Sequence, residues 1–202
     1  AYQAMYNSGK YGVDDGVKNK ALVLLAATLP DAPSLLVAGL SNKQAALSAV
    51  SATYNFFTPP LQPYTPAFHY LAGTFDANGL PSGLQFANYN NTLQKILTSP
   101  SYQSIGEMID GEAIEADLPN APYSANLSQI TLPVLYIGAA GGYGDSGLYT
   151  LDLLGSSDKQ SLMISLQAPE GVAVDYGHAD LLWGANAKVL VWEPLKYWIN
   201  SH

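Results

Sequence analysis

The sequence predicts a mixed α/β fold in which parallel strands alternate with helices and a mainly helical insertion interrupts their order. Two observations lead to this prediction: short apolar runs bounded by Gly, Pro or Lys, and a long Pro-rich segment between them. Such runs are typical of strands that are buried on both faces of a parallel sheet. They occupy residues 20–27 and 134–137, and residues 159–169 are a third strand candidate. Because strands that alternate with helices pair in parallel, right-handed crossovers are expected.

The middle of the chain differs in composition from both ends. Prolines crowd residues 31–129, and the stretches between them are amphipathic, so we interpret this segment as a helical insertion. Residues 1–30 and 130–202 then form the core portion, which carries the predicted sheet. At the start of the core portion, residues 1–8 have the pattern of a helix end.

Three amphipathic stretches predict the helices of the insertion, over residues 41–57, 83–98 and 101–114. Ser41 stands just before the first stretch and is a residue type that caps helices. In the second stretch, five apolar side chains fall roughly on one helix face: Leu84, Phe86, Leu93, Ile96 and Leu97. The pattern therefore predicts helices with one buried face.

Two further helices are expected in the core portion. The first covers residues 146–155, with Ser146 as its N-cap and Gly155 as its end. The second covers residues 185–201, where an apolar face is interrupted by Pro194. A proline inside a helix removes a backbone hydrogen bond, so this residue is expected to kink or restart the helix.

Composition excludes several classes of function. The formal net charge is −8, and every one of the eight Lys and Arg positions is a lysine. Nucleic acid and anionic membranes are therefore not expected as partners. The absence of cysteine excludes disulfides and thiolate chemistry. The three scattered histidines lack the spacing of a metal site, and no Gly-rich loop has a phosphate-binding form, so neither metal nor cofactor is expected.

The sequence also carries signals about location. No apolar run reaches the roughly 18 residues that a membrane-spanning helix needs, so no transmembrane segment is expected. Glycosylation sequons begin at Asn90 and Asn126. Together with many Tyr, Asn, Ser and Gly residues and few charges, they favour a secreted or extracellular protein.

Two side chains suited to catalysis follow two successive predicted strands. Asp145 ends the Gly-rich loop after PVLYIGAA, and His178 lies in the loop after SLMISL. Functional groups of parallel sheets lie at the carboxyl ends of the strands, where this Asp and this His can meet. The Asp would then hold the imidazole tautomer, and the His would act as a general base.

The order of these features resembles the closing segment of the α/β-hydrolase family, in particular its lipase- and esterase-like members. The resemblance rests on LPVLYIGAAGGYGD, from residue 132, and on VDYGHADLLWGANAKVLVWEPLKYWI, from residue 174. In that family an acid follows the seventh strand and a histidine follows the eighth. The resemblance thus implies Asp145 as the acid, His178 as the base, and residues 31–129 as the cap that follows the sixth strand.

The sequence departs from that family at the nucleophile. The family's serine lies in G-x-S-x-G on a sharp turn, and this motif does not occur in the chain. The oxyanion-hole segment is missing as well. We therefore expect the carboxyl-terminal portion of a longer hydrolase, whose complementary amino-terminal fragment supplies the serine. That fragment would also cover the edges and apolar faces that three strands alone expose.

Several other residues admit more than one interpretation. Asp31 follows the first predicted strand and is the alternative acid, whereas Asp180 has the position and charge of a cap on the terminal helix. Ser146 stands in GDSG, but its surroundings favour a helix cap over a protease nucleophile. His69 is a packed or surface residue or touches substrate, and His202 is expected to be frayed.

The aromatic residues of the insertion have two interpretations that the sequence leaves open. They line an acyl pocket, or they pack the cap onto the core. The residues concerned are Tyr54, Phe56, Phe57, Tyr64, Phe68 and Tyr70.

Two functions from different classes follow from these features. The first is a serine hydrolase that acts on a small-molecule carboxylic ester, with a cap that closes over an apolar acyl or alcohol group. Here His178 and Asp145 are the catalytic residues of this chain. The alternative is a non-catalytic α/β binding or interaction module that lacks a nucleophile.

Overall fold

The computed structural model describes residues 14–53, 68–99 and 124–202, and the fold is given for these residues. It is a mixed α/β structure with two small sheets. In chain order the regular elements are α1 (Asp14–Thr28), α2 (Asn42–Ser51), β1 (Gly73–Phe75), β2 (Pro81–Leu84), α3 (Tyr89–Thr98), a 3-10 helix (Ser124–Gln129), β3 (Val134–Ala139), α4 (Gly144–Leu153), β4 (Lys159–Ile164), a second 3-10 helix (Pro169–Val174), α5 (Asp180–Trp183), a π-helical segment (Lys188–Trp192) and α6 (Glu193–Ser201).

The first apolar run is a helix, so the prediction of a strand over residues 20–27 is wrong. Leu22, Val23 and Ala26 are buried on one side of α1, while Leu24 remains 52% exposed. A strand covered on both faces would bury Leu24 as well. An apolar run does not by itself distinguish a strand from a buried helix, and the alanines in this run favour the helix.

The helices α1, α2 and α3 pack around a first apolar cluster. Its buried members are Leu22, Val23, Ala26, Ala45, Ala46 and Leu93. Ile96 and Leu97 pack against the same cluster, as the predicted face of this helix requires. Helix α1 thus packs with the helices of the predicted insertion rather than with the parallel sheet.

Helix α2 begins where the sequence predicts. Its N-cap is Ser41, whose Oγ accepts a hydrogen bond from the backbone N–H of Gln44 at 3.2 Å. The Gln44 Oε1 accepts in return from the Ser41 N–H at 3.0 Å, which completes a capping box. The helix ends at Ser51, so it is shorter than the predicted stretch 41–57. The last residues of that stretch, the stretch 101–114 and the helix end at 1–8 lie outside the described residues.

The insertion also contains a β-hairpin, which corrects the prediction of a helix over residues 83–98. Strands β1 and β2 pair antiparallel around a turn in which Gly79 has a positive φ of 75°. Helix α3 begins only at Tyr89, after the Asn88 side chain caps it. The amphipathic pattern misled at its start because Leu84 is part of β2 and Phe86 packs against another cluster.

Strands β3 and β4 form a parallel pair, as predicted, but β4 ends at Ile164 and is shorter than the predicted stretch 159–169. Their register runs from Val134 opposite Lys159 to Ala139 opposite Ile164, and α4 connects them. A second apolar cluster lies at the carboxyl end of this sheet, with Ala139, Ile164, Tyr176 and Val191 as its buried members. Phe86 joins this cluster and brings the insertion into contact with the sheet.

Helix α4 begins earlier than the sequence predicts, and Ser146 is not its cap. The N-cap is Tyr143, which makes no side-chain capping bond. A Cβ added to Gly144 would lie 2.5 Å from the Sδ of Met163 and 2.6 Å from the carbonyl oxygen of Ala139. The close packing of this glycine on the sheet therefore determines where the helix begins. Ser146 lies inside the helix and does not cap it.

The terminal helix restarts at its proline, as predicted. Pro194 lies in the first turn of α6, where a missing N–H leaves no intrahelical bond unmade. The π-helical segment Lys188–Trp192 precedes it and takes up the change in backbone pitch. Among the described residues, no helix has the length and apolarity that crossing a bilayer requires.

The capping box of α2 gives a stability prediction. Replacing Ser41 by Ala removes one acceptor from the helix N-terminus and should lower the free energy of unfolding by about 1 kcal/mol. Ser146→Ala is the matched control, because Ser146 is exposed and makes no capping bond. Its effect should stay within about 0.5 kcal/mol. Urea unfolding at constant m-value measures both, and equal losses would contradict the assignment.

Candidate functional site

The loops that follow the two parallel strands meet at one edge of the sheet. The N–H of Gly141, after β3, donates to the carbonyl oxygen of Tyr176, after β4, at 2.9 Å. A Cβ added to Gly142 would lie 2.8 Å from the backbone nitrogen of His178 and 3.0 Å from its Cα. The glycines therefore allow the first loop to approach the second closely enough to support the backbone of His178.

His178 lies exposed at this edge. Its backbone N–H donates to the carbonyl oxygen of His69 at 3.2 Å. The imidazole faces the ring of Tyr70 edge-on, with 6.5 Å between the ring centroids. Within the described part of the chain, no hydrogen bond holds the imidazole itself. The side chain is thus presented by its backbone and remains accessible from solvent.

Asp145 occupies the first turn of α4, close to the same edge of the sheet, and is exposed. A negative charge is favourable there because it faces the positive end of the helix dipole. Burial raises the pKa of Tyr136, and the charge of Asp145 adds to that rise. In the described ranges no hydrogen bond or ion pair joins Asp145 to His178, so the pairing of the two stays a prediction.

Asp31, the alternative acid, loses the argument that supported it. It is exposed and follows helix α1, whereas the case for it depended on a strand that ends just before it.

A segment of the insertion, residues 68–72, lies between the two loops, and sequence reasoning missed it. The His69 N–H donates to the carbonyl oxygen of Gly141 at 3.0 Å. The Ala179 N–H donates to the carbonyl oxygen of Tyr70 at 2.6 Å. These bonds add a third layer of backbone beside the candidate catalytic histidine. No local pattern in PAFHYLAG predicts these hydrogen bonds, because their partners are distant in sequence.

His69 is a packed residue and not a surface residue. It is fully buried, and its Nε2 lies 2.6 Å from the carbonyl oxygen of Asp175. Because a carbonyl only accepts, Nε2 carries the proton, and Nδ1 has no partner among the described residues. Burial lowers the pKa of His69, against the raising effect of the Asp175 carbonyl and charge. A Cβ added to Gly141 would lie 2.5 Å from this ring, which explains the glycine there.

Asp175 organises the loop before the candidate histidine. Its buried carboxylate accepts hydrogen bonds from the Leu166 N–H at 2.8 Å and the Tyr176 N–H at 2.7 Å. The Ser165 hydroxyl donates to its second oxygen at 2.9 Å. The carboxylate thereby joins the end of β4 to the turn that carries His178.

Asp180 does not cap the terminal helix, which corrects the sequence prediction. It is the first residue of the short helix α5 and is fully buried. Its Oδ2 accepts hydrogen bonds from the N–H of Ala72 at 2.7 Å and the N–H of Gly177 at 2.9 Å. Its Oδ1 has no partner in the described residues. Burial raises the pKa of Asp180 to about 6, although both backbone donors act in the opposite direction.

Aromatic side chains of the insertion and of the loop after β3 pack against one another. Phe68 is buried and stacks on Tyr143 with 3.7 Å between ring centroids, and it meets Tyr70 edge-on at 5.3 Å. Phe68 therefore packs the insertion onto the loop after β3. The remaining aromatics named from the sequence, at 54, 56, 57 and 64, lie outside the described residues.

His202 is held in place, contrary to the prediction that it is frayed. Its Nε2 lies 3.1 Å from Asp158 Oδ2, and its ring stacks on Trp198 with 4.5 Å between centroids. The last turn of α6 is thereby fixed beside the start of β4. No cluster of three potential metal ligands occurs in the described part of the chain.

Comparisons with protein-family models, with curated proteins and with solved structures give no match to this chain.

The buried carboxylate of Asp180 predicts an unusual pH dependence of stability. Its pKa in the folded state is about 6, above the ordinary value of 3.8, so the folded chain binds the proton more tightly than the unfolded chain. The contribution of Asp180 is therefore most favourable below pH 4 and is lost as pH rises towards 6. Asp180→Asn removes this term.

The variant and the wild type should be compared by urea unfolding at pH 4 and pH 7. The free energy of unfolding of Asp180→Asn, relative to wild type, should rise by roughly 2–3 kcal/mol between the two pH values. Because the comparison is a difference, the opposite pH dependence expected from His69 cancels. A difference that does not change with pH would contradict a raised pKa.

Proposed function

We propose that this chain supplies the catalytic base and acid of a serine hydrolase of the α/β-hydrolase type, acting on carboxylic esters. The observation that carries the proposal is the exposed imidazole of His178 at the carboxyl edge of a parallel sheet. This is where catalytic groups of such sheets lie. Its backbone is supported by the loop after β3 and by residues 68–72.

In the proposed reaction His178 takes the proton of a serine hydroxyl as that oxygen attacks the ester carbonyl. The imidazolium then gives this proton to the departing alcohol, which leaves an acyl-serine. A water molecule, activated by the same imidazole, releases the carboxylic acid and restores the serine. Asp145 is proposed to orient the imidazole and stabilise its positive charge, after a side-chain movement that brings it within hydrogen-bond reach of the ring.

The serine is proposed to come from a complementary amino-terminal fragment, since G-x-S-x-G does not occur in the 202 residues. The sheet supports this part of the proposal. Residues 134–137 of β3 form a continuous apolar run, yet their side chains are only half-buried in a pair of strands. Parallel strands are typically covered on both faces, so further strands and helices would complete this sheet.

A cleft supports an ester with an apolar acyl or alcohol group. It measures about 340 Å³ and lies between α2, the β1–β2 hairpin and the second 3-10 helix, which leads into the loop of His178. Its lining is mostly apolar and consists of Leu40, Ser48, Ala52, Phe75, Gly79, Leu80, Pro81, Ala173 and Val174. We further propose a secreted or extracellular location.

A non-catalytic binding module is the second candidate. The observation that favours it is the missing link between Asp145 and His178, since no bond joins these side chains in the described ranges. A chain that has no need of a relay would tolerate this separation.

The role of His178 is tested on the protein together with any polypeptide that accompanies it in purification. A fluorophosphonate probe labels serines that a base activates, and mass spectrometry locates the label. We expect label on a serine of a companion polypeptide, with loss of label and at least about a thousandfold loss of ester hydrolysis in His178→Ala. His202→Ala is the control and should keep both. No label on any polypeptide would favour the binding module.

The choice of acid is tested by a pair of variants. Asp145→Asn should lower kcat for ester hydrolysis by about three to four orders of magnitude, since the imidazole loses its orienting charge. Asp31→Asn is the matched control, because this residue is equally exposed but follows α1, and it should leave kcat unchanged. Loss of activity in Asp31→Asn alone would make Asp31 the acid. Full activity in both variants would exclude both residues as the acid.

A further inference from the structure

We propose that Asp180 is a positioning residue, which holds His178 in place by bonding the turn that carries it to residue 72 of the insertion. We call this arrangement the Asp180 bridge, meaning Oδ2 of Asp180 with the N–H groups of Ala72 and Gly177. The catalytic consequence rests on the proposed function, whereas the effect on the position of His178 does not.

His178 depends on its backbone for its position. Its imidazole is exposed and makes no hydrogen bond within the described ranges, so no side-chain contact of that kind fixes it. The N–H groups of His178 and Ala179 donate to the carbonyl oxygens of His69 and Tyr70. Whatever keeps residues 68–72 against this turn therefore decides where the imidazole lies.

One atom, Oδ2 of Asp180, joins the turn of His178 to residues 68–72 of the insertion. Oδ2 of Asp180 accepts from Gly177, the residue before His178, and from Ala72, which ends the insertion segment. Ala72 and Asp180 are 108 residues apart in sequence. The turn and the segment are thus held by one buried carboxylate at the end of the contact, and by the two backbone bonds beside it.

The turn of His178 and residues 68–72 are packed tightly against each other. A Cβ added to Gly177 would lie 2.7 Å from the carbonyl oxygen of Tyr70 and 2.9 Å from the Cα of Leu71. The backbones of the turn and the segment are therefore in direct contact. A small separation between them would move His178 and lengthen its bond to His69.

A carboxylate at this buried position requires a physical explanation. Burying a charge is unfavourable, and Oδ1 remains without a partner in the described residues. The raised pKa expresses that cost. An apolar side chain would avoid it but would leave two buried N–H groups without acceptors. The bridge therefore accounts for a side chain with an acceptor oxygen at this position.

The test compares Asp180→Ala, which removes the acceptor, with Asp180→Asn, whose Oδ1 can accept from both N–H groups. The readout is the nuclear Overhauser effect between the ring protons of His178 and Tyr70, assigned with a His178→Gln variant. Wild type and Asp180→Asn should show it, and Asp180→Ala should lose it. Leu22→Ala is the control for general destabilisation, because Leu22 is buried in α1 within the first apolar cluster, which contains no residue of the bridge.

Asp180→Ser replaces Asp180→Ala if the latter does not fold, since its hydroxyl is too short to reach both donors. The proposal is overturned if the variant without the acceptor keeps the effect, if Asp180→Asn loses it, or if Leu22→Ala loses it equally. Where the wild type hydrolyses esters, Asp180→Ala should lower kcat at least tenfold with KM within threefold, and Asp180→Asn should restore most of it. A wild type without hydrolysis defeats the proposed function alone, because the ring contact still decides the bridge.

Discussion

The hydrogen bonds that the Asp180 carboxylate accepts from Ala72 and Gly177 are the constraint on which the site depends. They join the insertion to the turn after β4, and the backbone of His178 lies within that junction. The parallel register of β3 and β4 brings the two strand-end loops to one edge. Residues 68–72 add further bonds to the histidine turn, beside those that Gly141 and Asp175 make with it.

Three buried polar side chains organise this region, and each one satisfies backbone groups. His69 donates to the carbonyl of Asp175, Asp175 accepts from the chain on both sides of its loop, and Asp180 accepts from Ala72 and Gly177. Loops that are buried need such partners, because their N–H and C=O groups lie outside any ladder. The imbalance between burial and partners raises the pKa of Asp180 and lowers that of His69.

The insertion contacts the second apolar cluster through a pair of aromatic rings. Phe86 follows β2 in the insertion and packs against Tyr176, with 5.1 Å between ring centroids. The Ala185 N–H donates to the Phe86 carbonyl at 2.7 Å and ties the same point to the turn after α5. The residues that follow β2 are therefore connected to the second cluster and to the turn after α5.

The elements that local chemistry decides could be predicted, and those that distant contacts decide could not. Ser41 starts α2 because its capping box is contained in four residues, and β3 follows from a short apolar run. The prediction of a strand over residues 20–27 was wrong because a continuous apolar run fits both a helix with one buried face and a strand with two buried faces.

The candidate site divides in the same way. The position of His178 after a strand was predictable from the order of elements. Asp180 was misread because its spacing after the histidine matches a helix cap, whereas its acceptor oxygen binds a residue 108 positions away.

Native-state amide hydrogen exchange of the unmodified chain tests the central claim most directly. If the Asp180 bridge holds the site together, the amide protons of Ala72 and Ala179 exchange slowly and with the same free energy of opening, because separating the turn from residues 68–72 breaks both bonds. Exchange of either amide at the rate of an exposed loop, or opening of the two at clearly different free energies, would contradict the account.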